Sequence, residues 1–70
     1  MDFIYFKEAL LENYPDVLDI QQLCEILNIS VATGYQLLRQ KKIESLKVGR
    51  AYRIPKIYLL RYLQINAEKD

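Results

Sequence analysis

Histidine is missing from this sequence altogether, and cysteine occurs once. Without imidazole the chain lacks the commonest general base, and zinc sites built on cysteine and histidine are excluded. One cysteine cannot close a disulfide, so nothing covalent staples the fold. No apolar run exceeds four residues, as in Ile57-Tyr58-Leu59-Leu60, whereas a membrane-crossing helix needs roughly 20. The start lacks a basic segment leading into an apolar stretch and a small-residue cleavage site, so no signal peptide is expected and the location expected is cytoplasmic. Carboxylates could still do chemistry, but a chain of 70 residues buries only about 60% of its unfolded surface and has little room for a dry cleft. The expectation is a protein that is not an enzyme, with no cofactor, no metal, no membrane contact and no small-molecule substrate.

What is present reads as one folded domain: 51% of residues are hydrophobic and 27% charged, an ordinary balance for a globular chain. The net charge of +1 hides a division along the chain. Residues 1–30 carry six acids (Asp2, Glu8, Glu12, Asp16, Asp19, Glu25) against Lys7. Residues 31–56 carry seven bases (Arg39, Lys41, Lys42, Lys47, Arg50, Arg53, Lys56) against Glu44. Such a split is the footprint of a nucleic-acid surface with an opposite face turned to water. A solvated basic face with no partner would give the same count, so charge alone leaves both readings standing.

Local signals give an order of elements. Apolar residues at 3, 6 and 10 and at 4 and 11 have helical spacing, and Pro15 ends that helix. Asp19 is an N-cap before the stripe Ile20, Leu23, Cys24 and Leu27, and Gln22 completes a capping-box spacing. Asn28-Ile29-Ser30 interrupts the pattern: asparagine tolerates left-handed geometry and Ser30 caps a next helix from Val31 to Gln40. Beyond Lys41-Lys42 the period changes to two short extended runs around Gly49-Arg50, which predict a β-hairpin. Pro55 suits a first helical position, and the last helix is expected from Pro55 to about Ile65, with Leu59, Leu60, Tyr62 and Leu63 packed. The fold class expected is mainly α with a small β-hairpin, a winged helix-turn-helix with an extra N-terminal helix. Its divisions are 1–17 (helical extension), 18–65 (DNA-binding domain) and 66–70 (polar tail).

From Leu18 to Leu63 the sequence resembles the excisionase family of DNA-binding domains, itself MerR-like in build. The resemblance rests on Asp19-Ile20 opening a helix that ends in Leu27-Asn28-Ile29-Ser30, and on Thr33, Tyr35 and Leu37-Leu38 in the next. It continues through Lys47-Val48-Gly49-Arg50, Tyr52-Arg53-Ile54-Pro55, and Leu59 with Tyr62-Leu63. It implies a winged helix-turn-helix whose second motif helix enters the major groove and whose wing follows the adjacent minor groove. Three positions depart from the family pattern. Gly34 stands where valine is usual, Gln36 where arginine is common, and Ile57-Tyr58 where polar or acidic residues are usual. Gly34 either lets the two motif helices approach closely or leaves its helix partly unformed without DNA.

On this reading Ala32, Thr33, Gln36 and Gln40 are the candidate base contacts. Gln36 has the groups to pair with adenine N6 and N7, and threonine can bond either base or touch a thymine methyl. Ser30, Tyr35, Arg39, Lys41, Lys42, Lys47 and Arg53 are the candidate phosphate contacts, which fix register without reading sequence. Tyr35 has a second reading as a core aromatic. Gly49 and Arg50 form the wing tip, where arginine suits a narrow A·T-rich minor groove. Cys24, on the buried stripe, reads as a small hydrophobe.

The partner expected is double-stranded DNA, with an integrase or recombinase as a protein partner. The apolar start (Phe3, Tyr5, Phe6, Leu10, Leu11) and Ile57-Tyr58 either cover one another or face another copy on tandem sites. The function expected is that of an excisionase-like recombination directionality factor of a mobile element, since little lies outside the DNA-binding unit. A small transcription regulator using the same surface, and a protein-interaction module without DNA binding, are the alternatives.

Overall fold

Seven elements follow one another in the computed structural model, which describes residues 3–68. They are α1 (Phe3–Asn13), β1 (Val17–Leu18), α2 (Ile20–Leu27), α3 (Val31–Arg39), β2 (Leu46–Val48), β3 (Ala51–Pro55) and α4 (Lys56–Glu68). Short side chains set the helix ends. Asp19 Oδ1 accepts the Gln22 amide at 2.8 Å, and Gln22 Oε1 accepts the Asp19 amide at 3.0 Å, so the capping box that opens α2 is closed in both directions. Asn28, left-handed at φ 56°, stops α2 while the Ile29 amide reaches back to the Cys24 carbonyl at 3.0 Å. Ser30 Oγ then accepts the Thr33 amide at 3.2 Å and starts α3.

The strands form an antiparallel sheet in the order β1-β3-β2. Leu46 lies opposite Arg53, Lys47 opposite Tyr52 and Val48 opposite Ala51. The turn between them is Gly49-Arg50, with Gly49 at φ 64° and Arg50 outside the positive region, the sign pattern of a type II′ hairpin. Because side chains alternate across a strand, Tyr52 and Ile54 face inward while Ala51 and Arg53 face out.

A small core gathers one contribution from almost every element: Leu10, Leu18, Leu23, Leu38, Ile43, Ile54 and Leu59. Each fully buried leucine or isoleucine is worth roughly 1.5–3 kcal/mol relative to exposure. Leu10 places α1 in this core, and α1 packs against α4. The side chains of Phe3, Phe6 and Leu11 lie outside the described residues, as do Lys69 and Asp70.

Four details differ from the sequence reading. The hairpin has a third strand, because Val17 and Leu18 pair with Pro55 and Ile54. Pro55 therefore ends β3 instead of opening α4, and the next amide, that of Lys56, donates to the Asp16 carbonyl at 2.8 Å. The last helix continues past Ile65 to Glu68. Finally, Ile57 is 61% exposed and Tyr5 72%, so these two are not covered by each other's elements.

Candidate nucleic-acid interface

In α3 the buried positions are Gly34 and Leu38. At 100° per residue their direction lies opposite Gln36, and the exposed arc around Gln36 holds Ala32, Thr33, Arg39 and Gln40. All four candidate base contacts thus share one exposed face. The approach that leaves this face outward depends on Gly34: a Cβ there would overlap Cys24 Sγ and lie 3.1 Å from Ile20 Cδ1. Of the two sequence readings of Gly34, close approach of the motif helices is the one observed, and α3 is formed straight through it.

The start of α3 has its hydroxyls engaged with one another. Ser30 Oγ donates to Thr33 Oγ1 at 3.0 Å and accepts from the Thr33 amide. The two hydroxyls satisfy one another locally, and Thr33 remains exposed. At the other end, Lys41 is left-handed at φ 57°; its amide reaches the Leu38 carbonyl at 3.1 Å and that of Lys42 the Leu37 carbonyl at 3.0 Å. This is a Schellman ending with lysine where glycine is usual.

Aromatic contacts tie the wing to α3. The rings of Tyr35 and Tyr52 stand 5.9 Å apart at 55°, and the Lys47 ammonium lies 5.3 Å from the centre of the Tyr52 ring. Tyr35 is half-buried, so it combines the two roles considered for it: packing body and polar tip. Arg39, Lys41 and Lys47 line one groove of about 450 Å³, with Tyr52, Tyr58 and Glu44. Those three cations are brought together. Arg53 is exposed on the outward face of the hairpin, opposite Leu46, and so points away from Lys47. Lys42 and Arg50 are exposed, the latter at the turn.

Lys56 is the base that charge counting misplaced. It is only 5% exposed; its ammonium donates to the Tyr14 carbonyl at 2.7 Å and lies 3.7 Å from Asp16 Oδ1. Six bases of that segment are therefore exposed, not seven, and of these Arg53 lies on the other face of the hairpin from Lys47. Cys24 is 5% exposed, its Sγ lies 3.4 Å from the Ser30 carbonyl, and burial pushes its thiol up, opposed by the Gly34 amide.

Two capped helices joined by a short turn, the second with a polar exposed face, and a hairpin behind it define a winged helix-turn-helix protein. Residues 17–66 match the family described as Helix-turn-helix domain, and the chain belongs to that family, whose kind implies DNA as the partner. No curated protein and no solved structure gives a significant match. Among the described residues no helix is long and apolar enough to cross a membrane.

Proposed function

We propose that the chain binds double-stranded DNA sequence-specifically, with α3 in the major groove and the β2–β3 wing in the neighbouring minor groove. Within that reading it acts as an excisionase-like accessory factor that directs recombination of a mobile element alongside an integrase. The observation that carries DNA binding is the joining of the Gln36-centred face of α3 to the wing by Tyr35, Tyr52 and Lys47, with Arg39 and Lys41 beside them. The excisionase part rests on the sequence resemblance. Thr33 and Gln36 read bases, Ala32 and Gln40 flank them, and Arg50 enters the minor groove from the turn at Gly49. Tyr35, Arg39, Lys41, Lys42 and Lys47 meet phosphates, whereas Ser30, its hydroxyl engaged with Thr33, and Arg53, on the opposite face of the hairpin from Lys47, stand apart from that set.

Selection of bound duplexes from a random pool tests base reading; equal recovery of all sequences would remove it. Arg50→Ala and Thr33→Ala should each weaken binding to the selected site, and the former should also lessen preference for flanking A·T pairs. With about five phosphates engaged, log affinity should fall with log salt at a slope near −4 to −5. Salt-independent binding would point to the protein-interaction alternative. Footprints at the ends of an integrated element, with altered excision, support the recombination role; footprints confined to promoters make it a transcription regulator.

A further inference from the structure

Glu44 is the one acid between residues 31 and 56, and it sits in the groove that Arg39, Lys41 and Lys47 line. A carboxylate there opposes any phosphate those cations would hold. Arg61, from α4, reaches it: Nη1 donates to Glu44 Oε2 at 3.4 Å. The same guanidinium lies over the Tyr58 ring, 5.6 Å from its centre. Tyr58 belongs to the groove of Arg39, Lys41 and Lys47, whereas Arg61 lines a different groove with Lys7, Ile57 and Leu60. The arginine thus pairs with Glu44 while lining a separate groove.

As a brace for the fold this pair is weak, since both side chains are more than half exposed (53% and 62%). Its consequence is electrostatic. Paired, the carboxylate is held toward α4 and its field at a phosphate in the groove is partly offset; unpaired, it is free to turn into the groove and oppose the phosphate with its full charge.

We infer that Glu44 sets how strongly this groove attracts the DNA backbone and that Arg61 is a positioning residue, holding Glu44 paired and on the α4 side. The inference rests on the DNA-binding reading above. It assigns α4 a part in affinity without contact to DNA, and it separates Arg61 from the phosphate-binding bases.

The test is a double-mutant cycle measured by duplex titration at several salt concentrations. Glu44→Gln should raise affinity about two- to five-fold for selected and random duplex alike, the size expected of one screened charge several ångströms from a phosphate. Arg61→Gln should lower it by a similar factor in the unmodified chain and by clearly less beside Glu44→Gln. Arg61→Lys should restore most of the loss. An Arg61→Gln loss equal in both backgrounds, with a shallower salt slope, would make Arg61 a direct phosphate ligand and overturn the inference, as would unchanged affinity on Glu44→Gln. That variant alone decides the matter should Arg61→Gln fold poorly. Failure of the unmodified chain to bind duplex at all overturns the DNA-binding reading itself, a result distinct from binding without coupling.

Discussion

At position 34 two effects of a single methyl group compete. Alanine is favoured over glycine in a helix by about 1 kcal/mol. Against that, the added Cβ would overlap Cys24 Sγ, which is buried and fixed toward the Ser30 carbonyl at 3.4 Å. Overpacking of this sort costs about 1–3 kcal/mol, because the sulfur sits on a short side chain with little freedom to retreat. Packing should win: Gly34→Ala is expected to lower stability by up to about 2 kcal/mol in urea denaturation. Adding Cys24→Ala should return a large part of that loss, since it removes the atom in the way. A stabilised Gly34→Ala single variant would mean that the two helices can part at no cost. The sequence posed this glycine as a choice between two explanations; which was right depended on Cys24 and Ile20, ten and fourteen residues earlier, and no local pattern links them.

The endings of α2 and α3 show what elements disclose and conceal. Both finish on a left-handed residue that is not glycine, Asn28 at φ 56° and Lys41 at φ 57°. Asparagine tolerates that geometry through its short polar side chain, but lysine has no such excuse. Lys41→Gly should therefore stabilise the domain by about 0.5–1 kcal/mol, read as a raised melting midpoint. On the proposed function it should also weaken duplex binding and flatten the salt slope by about 0.9. Unchanged affinity would remove Lys41 from the interface. Capping signals made these two helices legible: Asp19 with Gln22, Asn28 and Ser30 each do what their spacing suggests. The third strand was not legible, because Val17-Leu18 is too short to show a period and its partner Pro55 reads as a helix opener. The burial of Lys56 did leave a trace. It stands three, four and seven residues before Leu59, Leu60 and Leu63, on their stripe, while Ile57 falls off it. Charge counting concealed that spacing.

Over the whole molecule, acid and base separate along the chain, and two lysines nine residues apart test whether position in space or in sequence matters. Lys47 and Lys56 belong to the same basic segment. One is exposed on the wing over Tyr52; the other is buried, joining α4 to the stretch between α1 and β1 through the Tyr14 carbonyl. Lys56→Met keeps most of the aliphatic bulk but removes a donor from a carbonyl that it reaches at 2.7 Å. It should cost about 1–3 kcal/mol of stability and leave the salt slope of duplex binding unchanged. Lys47→Gln should do the reverse, changing stability by no more than about 1 kcal/mol through the lost ring contact while flattening the slope by about 0.9. The pair of measurements, a denaturation curve and a salt titration on each variant, separates a charge that holds the fold from one that meets DNA. An equal flattening in both would mean that Lys56 leaves its buried site on the duplex, with α1 released from α4, and the face described here would then be only part of the one that binds.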